Sequence, residues 1–382
     1  MWRKKGPKAP FALSIVKNTP FSCRVRRIFW RPDSLKVGRF GENQLSVIII
    51  VSKPAPQLDW ISIMRSVVLT LLTLTLVHGI ANRCAADSPK PLRLIFITCS
   101  VEAKFFEPVK KGMRDASEQL GVSSEFIGTV GVDFPKQAEM VRQAVKDGYD
   151  GIALNLVHPE AFDQVVAEAI QVGVPVVGFN TDDRGTENAR LSCVSPLLYE
   201  AGRHLGETVL DQIPKGSHVL MTMHDPGISS LENRLRGEQD VLKTKNIKWT
   251  VINTGTDAAE GARKITETLR QNPEIHVVMA TGQADTEAAG RAIAENFSEE
   301  QANRKYWAAG FDLSPKTLEL IQSGHIRCTV DQQPYVQGFY PVVQLTHYLR
   351  HGIMPSDVES GAAIIDVENV DQAIAGTKAN YR

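Results

Sequence analysis

From residue 92 onward, short runs that are apolar on both faces alternate with stretches whose apolar residues step by three and four. The whole pattern then starts again halfway along the chain. LRLIFIT (92–98), SEFIGT (124–129), GIALN (151–155), VPVVGF (174–179) and RLSCV (190–194) read as strands. Helical periods lie between the first four. One is carried by Phe106, Val109, Met113, Ala116 and Leu120, another by Phe162, Val165, Val166, Ala169 and Ile170. Strands apolar on both faces and separated by helices predict a parallel sheet covered on both sides. HVLMTM (218–223), IKWTVIN (247–253), IHVVMA (275–280) and YWAAGF (306–311) begin the second series, with helices expected through SLENRLRGEQDVL, 257–271 and 285–296. The spacing predicts an α/β fold of two doubly wound, Rossmann-like domains facing one another. Ligands of such sheets bind beyond the carboxyl ends of the strands.

The usual chemistry of such sheets is missing from the sequence. ITCSVEAKFFEP follows the first strand where a dinucleotide-binding G-x-G-x-x-G would stand, and no Walker loop, H-E-x-x-H or G-x-S-x-G occurs. The formal charge of zero hides an uneven spread. Residues 1–86 hold 14 Lys or Arg against Asp33, Glu42 and Asp59, leaving 29 basic and 40 acidic residues in the body. An acidic body argues against a nucleic-acid partner, which needs a basic footprint.

Residues 64–86 have the layout of a secretory signal peptide. Arg65 supplies the positive start, Val67 to Val77 the apolar run, and Cys84, Ala85 and Ala86 the small residues before cleavage after Ala86. Lipid attachment at Cys84 fits poorly, because Asn82 and Arg83 replace small residues. Residues 1–63 are basic and irregular, and read as lying upstream of a true start at Met64 or as a disordered extension. The expected address is therefore a secreted one. Beyond the cleavage point only Cys99, Cys193 and Cys328 remain, without zinc-ligand spacing. Buried free thiols are expected there, over a Cys193–Cys328 disulfide.

Hydrogen-bonding side chains gather at the predicted strand ends. Phe105 and Phe106 open the first helix. Helical phase sends Phe106 to the core and leaves the Phe105 ring free for the cleft; aromatic faces can stack on apolar C–H faces such as those of sugars. Asn155 and Asn180 end the third and fourth strands, and an amide matches the donor-and-acceptor character of a hydroxyl. Asp182 and Asp183 read as solvated loop charges. Arg236 can clamp hydroxyls bidentately, and Arg234 reads as an ion-pair partner on another face. Thr256 and Asp257 follow one strand, one of them as a helix N-cap, and Gln283 and Asp285 follow another. Asp312 and Gln332 end two more. A lone carboxylate can act as general acid or base, but no second acid, histidine or nucleophile is placed to complete a reaction centre. His224 and His325 read as loop or surface residues.

Taken in order, these residues resemble periplasmic sugar-binding proteins of the ribose-binding type, the solute receptors of ABC importers. The cues are the Phe105–Phe106 pair, ALN with Asn155, VPVVGFN with Asn180, RLRGE with Arg236, AGFD with Asp312 and CTVDQQP with Gln332. The likeness covers residues 91–370. It implies two lobes joined by a three-segment hinge, the type I periplasmic-binding-protein arrangement. The first lobe would be 91–194 plus 334–360 and the second 195–332 plus 361–382, with crossings near 194–196, 332–334 and 360–362. It also implies that Phe105, Phe106, Asn155, Asn180, Arg236, Thr256, Gln283, Asp312 and Gln332 hold the ligand. Three positions depart from the ribose pattern: Ala103 and Lys104 precede the Phe pair, Thr181 follows Asn180, and Thr256 stands where an aromatic is usual.

The resulting expectation is a secreted, monomeric receptor, not an enzyme. It would need neither cofactor nor metal, and would deliver a small sugar or cyclitol to an ABC importer permease. The alternatives are a periplasmic sensory receptor for a histidine kinase or chemoreceptor, the effector core of a LacI-type repressor, and an enzyme on the same fold.

Overall fold

The computed structural model describes residues 91–182, 188–298 and 305–382. The expected signal segment at 64–86, the extension 1–63 and Asp183 lie outside the described residues. Two six-stranded sheets carry the fold. The first contains β1 (Arg93–Thr98), β2 (Ser123–Gly128), β3 (Gly151–Leu154), β4 (Val176–Phe179), β5 (Cys193–Ser195) and β11 (Val358–Glu359), in the order β11-β5-β4-β3-β1-β2. The second contains β6 (His218–Met223), β7 (Lys248–Asn253), β8 (Val277–Ala280), β9 (Trp307–Phe311), β10 (Ile326–Asp331) and β12 (Ala363–Asp366), in the order β12-β10-β9-β8-β6-β7. Both sheets thus repeat one winding, in which the first strand has the second on one side and the third on the other. The pairings are parallel except that of β12 with β10. The central strands β3, β4, β8 and β9 are buried along their whole length, as their two-faced apolar runs require.

Helices α1 (Phe106–Leu120), α2 (Phe134–Lys146) and α3 (Asp163–Gln171) belong with the first sheet. α4 (Leu198–Leu210), α5 (Ser229–Thr244), α6 (Ala258–Gln271), α7 (Gln283–Asn296), α8 (Pro315–Gln322) and α10 (Val370–Lys378) belong with the second. α9 (Pro334–His351) returns to pack on α1. The chain therefore passes between the sheets three times: after β5, after β10, and between β11 and β12. The lobes also meet through apolar contact. Met223, Ile228 and Leu231 of the second join a cluster with Leu154, Leu156 and Val157 of the first. Nearby, the Ser229 N–H donates to the Val157 carbonyl at 3.1 Å.

Each lobe has one helix crossing too tight for side chains. A Cβ at Gly338 of α9 would fall 1.9 Å from the Val109 carbonyl oxygen of α1, and one at Gly237 of α5 would fall 2.2 Å from that of Tyr199 on α4. Backbone meets backbone there, so neighbouring side chains cannot yield the room. Replacing Gly338 with Ala is expected to lower stability by about 1–3 kcal/mol, the usual cost of overpacking. Urea unfolding followed by circular dichroism measures the loss.

Next to the second crossing, Glu238 is fully buried and neither carboxylate oxygen has a hydrogen-bond partner among the described residues. Burial pushes its carboxyl far above the ordinary glutamate range; the charge of Asp285 adds to the effect and Arg234 opposes it. A folded-state value above the unfolded one contributes stability at pH below the unfolded value, and that stability is lost as pH rises through the folded value. Glu238→Gln is therefore expected to melt with the native protein at acidic pH and above it at alkaline pH. The gain in Tm should be about 2–4 °C for each ~1 kcal/mol, read from thermal melts across pH.

Candidate functional site between the lobes

The carboxyl ends of the strands in both sheets open on the gap between the lobes. Four non-glycine residues near these ends have left-handed backbone: Ser100 (φ 50°), Asn180 (φ 65°), Asp312 (φ 69°) and Gln333 (φ 54°). Asn and Asp tolerate that region best because their short polar side chains bond locally, which suits the residue types at β4 and β9. A cavity of about 360 Å³ lies here, lined by residues of both lobes that include Lys104, Phe105, Gln283, Asp312, Asp331 and Arg382.

A hydrogen-bonded chain of buried side chains crosses from one lobe to the other. Asn180 Nδ2 donates to Gln337 Oε1 at 3.0 Å. Gln337 Nε2 reaches the Gln332 carbonyl oxygen at 2.9 Å and Ser360 Oγ at 3.0 Å. Gln332 Nε2 donates to Asp312 Oδ1 at 2.5 Å, and Arg234 Nη1 stands 3.7 Å from Asp312 Oδ2. Gln337 thereby ties the second and third crossings to the end of β4. The Ser360 N–H completes the set by donating to the Ser195 carbonyl of the first crossing at 3.2 Å.

Burial raises the Asp312 carboxyl above its ordinary range, and the Arg234 charge and the Gln332 hydrogen bond offset part of that rise. The Arg234 guanidinium is 3% exposed, donates to the Thr281 carbonyl oxygen at 2.9 Å and lies 4.5 Å over the Phe311 ring. Its Nε has no hydrogen-bond partner among the described residues. Asn155 is buried, with Nδ2 donating to Thr98 Oγ1 at 2.9 Å and Oδ1 without a hydrogen-bond partner among the described residues. Among the described residues an arginine N–H beside the Asp312 carboxylate and an amide oxygen at the end of β3 thus stand unsatisfied. Each would be met by a hydroxyl group.

The structure brings Phe105, Gln283 and Asp312 to the lining of this cavity, joins Gln332 and Asn180 to Asp312 through the hydrogen-bonded chain, and sets Asn155 at the end of β3. The expectation for Arg236 is corrected. Arg236 is exposed, bonded to Asn233 at 2.8 Å and lying over the Tyr199 ring at 5.1 Å, while Arg234, read as peripheral, is the buried partner of Asp312. Residues two apart on a helix point to nearly opposite sides, and the buried face carries Leu231, Arg234 and Glu238. Phe106 lies in the core with Phe96, Phe126 and Phe179, as its helical phase required. Thr256 is exposed on the turn before α6 and does not join the cluster. Asp257 takes the N-cap there, accepting from the Glu260 N–H at 2.8 Å. Asp182, expected to be solvated, is buried and paired with Arg190 at 2.6 Å. Gln337 was not singled out from sequence; its buried place on the first turn of α9 is set by the returning chain. The three cysteines of the described residues are buried and free.

Residues 94–352 match the profile of the periplasmic binding protein domain. Among curated proteins, the chain is 27% identical over 297 residues to the xylose/arabinose-binding protein XylF of Sulfolobus acidocaldarius, covering 75% of this chain and 74% of that one. It is 25% identical to the ribose import binding protein RbsB of Bacillus subtilis, covering 72% and 90% respectively. Among solved structures, a carbohydrate transporter protein from Acidothermus cellulolyticus in complex with myo-inositol superposes with a TM-score of 0.67 at 26% identity, covering 77% of this chain and all of that one. With the two-sheet winding and the inter-lobe cluster already described, the chain belongs to the periplasmic binding protein domain family.

Proposed function

We propose that this protein captures one small sugar or cyclitol between its lobes and presents it to the membrane permease of an ABC importer. The observation that carries this reading is the convergence of Asn180, Gln332, Asp312 and Arg234, drawn from both lobes and a crossing, beside the Phe105 ring. Hydroxyl groups need donors and acceptors together, and charge-assisted bonds to a carboxylate and a guanidinium hold them most strongly. The cavity is near the small end of the range for small-molecule sites, which suits a single ring. Relatives that bind xylose, arabinose or ribose, and the myo-inositol complex, support the ligand class. Secretion through residues 64–86 to the periplasm and action as a monomer belong to the same proposal.

In this reading residues 91–194 plus 334–360 move against 195–332 plus 361–382. The ligand favours closure because it contacts both bodies at once. No step of chemistry is needed, and the role is that of a receptor rather than an enzyme.

Isothermal titration of the purified protein against pentoses, hexoses and inositols is expected to find at least one ligand bound at micromolar or tighter dissociation constant. Silence across the panel would end the sugar assignment. With that ligand, Arg234→Ala and Asp312→Ala are each expected to weaken binding by about 100-fold or more, the scale of a lost buried charged contact. Arg236→Ala should stay within about two-fold of the native protein. The opposite ranking of the two arginines would remove Arg234 from the site.

A further inference from the structure

A polar group at the end of β6 is not used by the sugar reading. His224 follows that strand directly, and its Nδ1 lies 2.8 Å from Asp285 Oδ1. Asp285 is fully buried in the first turn of α7, where its Oδ2 accepts from Thr222 Oγ1 at 3.0 Å and from the Thr281 N–H at 2.8 Å. The imidazole also has a fitted seat. A Cβ at position 282 would fall 2.4 Å from His224 Cε1 and 2.8 Å from Nδ1, so the ring rests on the β8–α7 loop only because residue 282 is glycine. The histidine side chain is 19% exposed, and its Nε2 makes no hydrogen bond within the described residues.

A carboxylate only accepts, so Asp285 takes the Nδ1 proton and leaves a lone pair on Nε2 of the neutral ring. This arrangement fixes tautomer and direction together. We infer that His224 is a ligand-contacting, specificity-determining residue of the second lobe, whose Nε2 accepts a hydroxyl hydrogen from the bound sugar. The inference rests on the sugar reading above and adds a residue and a pH dependence to it.

The charged groups around the ring are Asp285 of α7, Asp312 after β9 and Asp225 beside it on the loop. Arg234 and Glu238 of α5 stand beyond the two buried carboxylates. Burial works against protonation of His224, but the Asp285 hydrogen bond and charge, with Asp312 and Asp225, outweigh it, so the ring takes its proton above the ordinary histidine value. A protonated ring has no lone pair on Nε2. Sugar and proton therefore compete for the same atom, and affinity falls as the pH drops through the range in which His224 charges, approaching about ten-fold per pH unit below it. A deoxy sugar lacking the matching hydroxyl loses both the contact and the pH dependence.

The test is titration calorimetry from pH 5.5 to 8.5 with the tightest sugar of the panel, on the native protein, His224→Phe and His224→Gln. Asp312 is also raised toward this range, so the Phe variant supplies the reference slope. His224→Phe is expected to bind about ten-fold or more weakly at pH 8, with a flatter profile. His224→Gln, whose Oε1 can accept from the ligand without titrating, should recover affinity while staying flat, and thermal melts verify that both variants fold. A ring that serves only as a prop would lower affinity without changing the slope. A His224→Phe profile as steep as the native one, or a native affinity independent of pH, overturns the inference and leaves the sugar reading standing. A native protein that binds no sugar of the panel removes both.

Discussion

The chain of buried side chains from Asn180 through Gln337 and Gln332 to Asp312 and Arg234 is the constraint on which the arrangement of the lobes depends. Each bond joins groups that burial has taken out of water, and an unmet amide or carboxylate there costs about 1–3 kcal/mol. Gln337 cannot leave Asn180 without exposing that cost, nor can Gln332 leave Asp312. Of this chain, Asp312 also lines the cavity between the lobes. Asp312 is thus tied through Gln332 and Gln337 to the second and third crossings.

The sheets explain why such a chain can exist. Parallel strands all end on one edge, so polar residues at their carboxyl ends are collected without any contact between them in sequence. The left-handed backbone at Asn180 and Asp312 turns each side chain out of its sheet at the point where the strand stops. Behind these edges the glycine crossings at Gly338 and Gly237 draw helix pairs to backbone contact, and each brings its cleft-facing helix close. Arg234 and Glu238 flank the second crossing on α5. The tight packing that places the guanidinium beside Asp312 also buries the Glu238 carboxyl, which has no hydrogen-bond partner among the described residues.

The two arginines of RLR show where sequence reading stops. Arg234 and Arg236 have the same chemistry, and successive helical residues turn by about 100°, so the pair faces nearly opposite ways. The stripe Leu231, Arg234, Glu238 and Val241 was the signal that could have identified the inward residue. Its two charged members, Arg234 and Glu238, are residue types that are rarely buried. His224 was passed over for a related reason: a histidine after a strand looks like any loop histidine until Asp285, sixty-one positions later, is seen to hold its ring. Thr256 failed differently, since its neighbour Asp257 capped a helix and left it on the outside of a turn.

Hydrophobic periodicity alone determined the two α/β units, the helices on both faces of each sheet and the strand ends at which the polar residues stand. These follow from short runs apolar on both faces and from repeats of three to four residues, local patterns that the chain displays from residue 92 onward. Tertiary structure alone decided which side of α5 faces Asp312, that Gln337 closes the hinge, and that Asp285 and Gly282 seat His224. Those depend on segments that return from distant parts of the chain, and the energy of a buried charge or amide is set by the neighbours that such returns supply.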